Sequence, residues 1–252
     1  MKIFVQQFND KFINNLIISL RQLSTETISA NINNTLYKLD YLYKFDAYVF
    51  ISDLFSNEIA QFISEYHNKN KTFMLYYPNN SQYTELMDFN RVCKTFHWSA
   101  IDNTNIVIPE NILNTSLFIA DKTTTKENFA TVFLDQCGNE IPDTLTKYLY
   151  PNSQLPIKMF NNINIKHKQN LGLLNEFHKA NILKKSSFFV DINDYYSLEA
   201  VSCGCSLVSS ANVSKNTKTK NFLIDTNKNK YWKQKLSSAV SYADFITKNI
   251  LP

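Results

Sequence analysis

At 252 residues, 44% of them hydrophobic and 19% charged, the chain can bury a full core in either one large domain or two small ones. Its formal charge of +4, with a pI near 8.7, permits an anionic ligand or nucleic acid and demands neither. No apolar run reaches the roughly 18 to 20 residues of a membrane span, the opening MKIFVQQFND turns polar too early for a secretory leader, and four scattered cysteines suit reduced thiols better than a disulfide framework. These features lead to the expectation of a soluble chain in the cytoplasm.

In chain order, KIFVQ (2–6) reads as a strand, and Asn9 or Asp10 can cap a helix carrying Phe12, Leu16, Ile17 and Leu20 at helical spacing. TISA (27–30) is a second strand, YKLDYLYKF (37–45) a helix and AYVFIS (47–52) a buried strand. Residues 57–66 form a helix with Ile59, Phe62 and Ile63 on one face, and TFMLYYP (72–78) is a further buried strand. RVCKTFHW and NIVIP can supply two short strands that close the first unit, and 111–116 is a plausible hinge. The alternation resumes with strands at 116–120 (SLFIA), 131–135 (TVFLD), 156–160 (PIKMF), 187–191 (SFFVD) and 206–210 (SLVSS). Helices are expected at 142–150, 173–185, 195–203 and 231–248. Strand and helix in alternation imply parallel pairing, because a parallel partner is reached only through a crossover. The expected fold class is α/β: two small Rossmann-like, doubly wound domains facing a cleft, 1–105 and 106–230, with 231–252 crossing back to the first.

Ligands of open parallel sheets bind beyond the carboxyl ends of the strands, and VDINDYYSLEAVSCGCSLVSS (190–210) lies at such an end. One of only three glycines in the chain stands here between Cys203 and Cys205. A metal site, a redox pair and a tight corner compete as explanations. A lone C-x-C with His167 and His178 well upstream lacks zinc-ligand spacing, so no metal is assigned. The corner is preferred, with Gly204 ending a helix at positive φ. The first turn of that helix offers N–H groups to a phosphate, and Glu199 can accept hydrogen bonds from a pair of ribose hydroxyls.

These residues resemble the nucleotide-sugar-binding segment of GT-B glycosyltransferases, whose C-terminal domain carries an acidic residue, seven residues, a Glu and then an Ala-x-x-Cys-Gly corner. Here the pattern is Asp191, Glu199, Ala200, Cys203 and Gly204, with Asp in place of the commoner first Glu. The likeness is good over about thirty residues and follows the order of elements over roughly 105–250. It implies Glu199 on the donor ribose, the N–H groups of Tyr196, Ser197 and Leu198 near the diphosphate, and the loop 161–172, including Asn170 and Gly172, facing the base. Lys122 and Lys126 are the nearest cations for the phosphates. FVQQFNDKF lacks the glycine-rich loop that many relatives carry after the first strand.

The implied activity is transfer of a sugar from a nucleotide-diphosphate donor, UDP-type, to an acceptor hydroxyl, with no cofactor and no required metal. The acceptor is a saccharide, a lipid-linked glycan or modified DNA. The lysine-rich stretch 214–221 keeps DNA open, and peripheral membrane contact is also compatible. Catalytic candidates are Asp53 and His97, either as the base of an inverting reaction, together with Asp191. His167 and His178 are weaker. The alternative is a catalytically inactive protein that keeps the fold as an interaction module.

Overall fold

The structure is a computed structural model that describes residues 1–23, 25–30, 44–54, 56–66, 68, 70–76, 93–98, 106–135, 137, 145, 156–161, 170–209 and 224–251. The chain divides into two units: Met1–Ile112 with Val240–Pro252, and Leu113–Ala239. The expected helices at 37–45 and 142–150, the loop residues 162–169 with His167, and the lysine-rich stretch 214–221 fall largely or wholly outside the described residues.

Unit one is built on six parallel strands: β1 (Lys2–Gln6), β2 (Glu26–Ala30), β3 (Ala47–Ile51), β4 (Thr72–Leu75), β5 (Lys94–His97) and β6 (Ile106–Val107). Their order is β2-β1-β3-β4-β5-β6. Every residue of β3 is buried, the pattern of a parallel strand covered on both faces. Helix α1 (Lys11–Gln22) starts where Asp10 accepts hydrogen bonds from the N–H groups of Phe12 and Ile13 at 2.7 and 3.3 Å. It buries Phe12, Ile13, Leu16 and Leu20 in the core, and α2 (Asn57–Tyr66) buries Ile59, Phe62 and Ile63. Strand order reverses between β1 and β3, where a doubly wound sheet opens its ligand crevice. Gln6, fully buried, occupies this place. Its Nε2 donates to the Leu54 carbonyl at 3.2 Å and its Oε1 accepts from the Ile51 N–H at 2.9 Å. A side chain therefore stands where a glycine-rich turn would leave room for a ligand.

Unit two has four parallel strands, β8 (Glu127–Phe133), β9 (Ile157–Phe160), β10 (Ser186–Asp191) and β11 (Ser206–Ser209), in the order β11-β10-β8-β9. The strand expected at 116–120 is not one. The Asn114 carbonyl accepts from the N–H groups of Leu117 and Phe118 at 3.1 and 2.9 Å, which curls SLFIA into a turn with Phe118 buried and Ile119 exposed. The strand after it starts earlier than expected, at Glu127. Among the described residues, three helices belong here: α3 (Glu176–Lys185), α4 (Ser197–Ser202) and α5 (Thr226–Ser237).

The single helix expected over 231–248 is broken. α5 stops at Ser238, Val240–Ser241 (β12) pairs with β7 (Ile112–Leu113), and α6 (Tyr242–Asn249) begins with Ser241 Oγ accepting from the Asp244 N–H at 3.0 Å. The serine cap restarts the helix, and Tyr242, Phe245, Ile246 and Ile250 join the core of unit one. The C-terminal segment thus returns to the first unit from 240 onward, while 226–237 stays with the second. No helix among the described residues is long and apolar enough to cross a membrane.

Candidate functional site

The Cys-Gly-Cys corner lies at the amino end of the second sheet, just before β11. Cys205 N–H donates to the Ala200 carbonyl and Gly204 N–H to the Val201 carbonyl, both at 2.9 Å, with Gly204 at φ +83°. This pair of bonds is a Schellman helix end, which places glycine at the left-handed position. Burial pushes the Cys203 thiol up to about 12 and the Cys205 thiol up to about 11, far from the thiolate that metal or redox chemistry uses. Lys126 is built into the same corner. Its Nζ donates to the carbonyls of Leu183, Ser186 and Cys203 at 2.9, 2.8 and 2.8 Å. One ammonium thus caps the ends of both α3 and α4. Lys126, expected near the phosphates, thus directs its three protons at main-chain carbonyls at the amino end of the sheet.

A second cluster lies where the strand order of unit two reverses, between β8 and β10. Lys179, with only 4% of its side chain exposed, donates to Asp135 Oδ1 at 2.6 Å, Glu176 Oε1 at 3.0 Å and the Tyr196 hydroxyl at 2.5 Å. The hydroxyl in turn donates to Glu176 Oε1 at 2.8 Å. Burial, then the neighbouring Glu176 charge, holds this phenol well above its ordinary value, so it stays a donor. The Tyr196 ring packs edge-on against Phe133, with centroids 5.0 Å apart. Asn161, at φ +72°, ties the end of β9 into the cluster. Its Nδ2 donates to Asp135 at 2.8 Å, and its Oδ1 accepts from the Leu174 N–H at 2.6 Å. The sequence pointed to Asn161 only as the start of the loop facing the base, and Asp135, Glu176 and Lys179 were missed. The i,i+3 spacing of Glu176 and Lys179 was the one available signal.

Asp191, 1% exposed at the end of β10, is held by Lys228 of α5 at 2.7 Å, and the same ammonium meets Asp194 at 3.0 Å. Burial, reinforced by a hydrogen bond shared with Asp194, holds the Asp191 carboxyl above its usual range although Lys228 draws it down. Burial also acts on Asp194, but the hydrogen bonds from Asp191 and Lys228 outweigh it and hold that carboxyl below its usual range. Asp191, expected as a catalytic candidate, is thus buried and part of an ion-pair clamp.

The clamp makes a pH prediction. An acid whose folded pKa is raised costs stability as pH climbs from its unfolded value of about 3.9, because the unfolded chain releases the proton first. Removing Lys228 removes the influences that draw both carboxyls down. Lys228→Met should therefore lose stability more steeply than the wild type between about pH 4 and 7, with the smallest gap below about pH 4. Urea unfolding across that range checks it, and a gap independent of pH would show that the ammonium acts by packing alone.

The start of α4, where phosphate contacts are expected, is buried. Ser197 N–H donates to the Asp194 carbonyl at 3.3 Å, Tyr196 turns its side chain into the Lys179 cluster, and Ser197 and Leu198 are buried. The helix runs only six residues, less than two turns, so its end carries little of a helix dipole. Glu199 sits in its first turn, 2% exposed, and its Oε2 is out of reach of solvent. In the 161–172 loop, Leu171 N–H donates to the Met159 carbonyl and the Gly172 carbonyl accepts from Asn161 N–H, both at 2.8 Å. Asn170 bridges to Met159, and Gly172 adopts φ +96°. These main-chain groups pair alongside β9. Lys122 is exposed in a turn tied by Asp121 and Thr123, and His178 is exposed in α3.

In unit one, Asp53 stands half-buried in a single 3₁₀ turn (Ser52–Leu54) after β3, and His97 is buried at the end of β5 with its ring 4.9 Å from Tyr76. β4 lies between the two strands, so their ends are roughly 10 Å apart at about 4.8 Å per strand. The structure brings the two candidates to one edge but not into a hydrogen-bonded pair.

No protein-family model and no curated protein matches the sequence. Among solved structures, the chain aligns over 99% of its length, and 94% of the other chain, with a Listeria monocytogenes protein assigned as UDP-N-acetylglucosamine 2-epimerase, at 11% identity and a TM-score of 0.50. MnaA of S. aureus in complex with UDP matches over 99% of this chain and 94% of its own, at 11% identity and a TM-score of 0.49. AviGT4, a glycosyltransferase involved in avilamycin A biosynthesis, matches over 100% and 97%, at 7% identity and a TM-score of 0.49. With parallel α/β sheets in both units, the chain has a GT-B-like fold.

Proposed function

We propose that the chain is a glycosyltransferase that takes a nucleoside-diphosphate sugar, of UDP type, on unit two and an acceptor hydroxyl on unit one. The observation that carries this reading is the full-length likeness of two parallel α/β units to a protein assigned to UDP-N-acetylglucosamine chemistry. The accessible loop at Asn170 and Gly172 is the candidate contact for the base, and exposed Lys122 is the remaining candidate cation for the phosphates. Glu199 reaches the ribose only if its cover moves on binding. Asp53 or His97 serves as the base, one of them alone, since two strand spacings separate them. The acceptor class, saccharide, lipid-linked glycan or DNA, is left to the assay.

The second reading, an inactive module, draws on specific observations: Gln6 fills the switch point of the first sheet, and Lys126 and the Ser197 N–H are engaged internally. Thermal unfolding with UDP and a panel of UDP-sugars separates the two. At about 100 times Kd a bound nucleotide adds about 2.7 kcal/mol by mass action. The transferase reading requires a rise in Tm, reduced in Glu199→Gln, a variant that keeps the side-chain volume. It also requires UDP release when an acceptor is added. No rise with any nucleotide would sink it in favour of the module.

A further inference from the structure

Trp98 follows β5 with 41% of its surface exposed, immediately after three buried residues, Thr95, Phe96 and His97. The ring is firmly seated. It packs edge-on against Phe12, with centroids 5.3 Å apart at 78°, and Phe12 is itself buried and held by Tyr242 at 5.5 Å and Phe245 at 6.1 Å. Solvent thus meets a rigidly backed indole at the carboxyl edge of a parallel sheet, where ligands bind. The ends of β1, β3, β4 and β5 place Gln6, Ser52, Asp53, Tyr76 and His97 along the same edge. Among the described residues 6–11, 52–54, 76 and 97–98 there are two carboxylates, Asp10 and Asp53, and one cation, Lys11.

We propose that Trp98 is the stacking platform of a saccharide site on unit one, taking an uncharged pyranose ring. The negative face of an indole attracts the partly positive C–H bonds on one face of a pyranose. The half-buried Asp53 carboxylate on the same edge suits its hydroxyls. A nucleic acid also stacks on aromatic rings, but it needs a row of cations along its phosphates, and the described residues of this edge offer one lysine beside two carboxylates. The site deepens the transferase reading only in naming a glycan as the acceptor, and saccharide binding stands or falls separately.

The chain has two tryptophans, Trp98 and the buried Trp232. In Trp232→Phe all indole emission comes from Trp98. Titration of that variant with cello-, chito- and malto-oligosaccharides should give a saturable blue shift with at least one series. With Trp232 intact, Trp98→Ala should bind the same sugar at least ten-fold more weakly by saturation-transfer NMR, and Trp98→Phe should retain part of the affinity. The proposal is overturned if none of the three series changes the emission, if Trp98→Ala binds as tightly as the wild type, or if a single-stranded oligonucleotide titrates more tightly than every sugar. Sugar binding without any nucleotide effect would sink the transferase reading and leave this site standing.

Discussion

Replacing Lys179 by methionine should cost unit two on the order of 4 kcal/mol, the range for removing one partner of a buried ion pair. The stem of the side chain is kept, so packing changes little. The loss comes from leaving Glu176, 3% exposed, and Asp135 without their shared cation. Tyr196, whose hydroxyl both accepts from Lys179 and donates to Glu176, also loses its ordering. Urea unfolding followed by Trp232 fluorescence in a Trp98→Phe background reads unit two alone, since the remaining indole lies in that unit. Adding Glu176→Gln to Lys179→Met should recover part of the loss, because the uncompensated charge is then gone, and the difference between single and double variants measures the coupling. A cost below about 1 kcal/mol, of the size found for exposed pairs, would show that the cluster contributes little to holding the strand ends together.

Lys126→Met should destabilise the same unit by roughly 3 kcal/mol, since hydrogen bonds to a charged donor contribute about 1.5 to 3 kcal/mol each and are not additive. Three carbonyls at the ends of two helices would lose their donor together. Arginine should restore only part, because a planar guanidinium cannot aim at three oxygens arranged about one ammonium. The assay is the same unfolding experiment, paired with nucleotide titration. If Lys126→Met unfolds like the wild type and loses only nucleotide affinity, the lysine faces phosphate after all and its assignment as a helix cap fails.

The strands were legible where both faces are covered. KIFVQ, AYVFI, TFML and SFFVD are short apolar runs bounded by polar residues, and each forms a parallel strand near its expected limits. SLFIA has the same composition and failed. Asn114 offers its carbonyl to a turn, and Ile119 is left in solvent. The helix expected over 231–248 showed apolar residues near helical spacing on both sides of Ser238, and periodicity alone does not reveal that Ser241 restarts the helix with a cap of its own.

At the amino end of the second sheet, the corner at Gly204 was readable because a left-handed helix end calls for glycine. The charged groups were not. Lys179 meets Asp135 across 44 positions, and Lys126 meets its three carbonyls across 57, 60 and 77. A lysine in a lysine-rich chain reads as solvated until such partners are known.

The sequence by itself determined that both halves are parallel α/β units and where the helix after Asp191 must end, because apolar runs and a single glycine act over a few residues of backbone. Only the tertiary structure decided which cations and carboxylates are engaged. A half-buried or buried charge takes the partners that packing brings within about 3 Å, and here those partners come from strands and helices far apart in the chain.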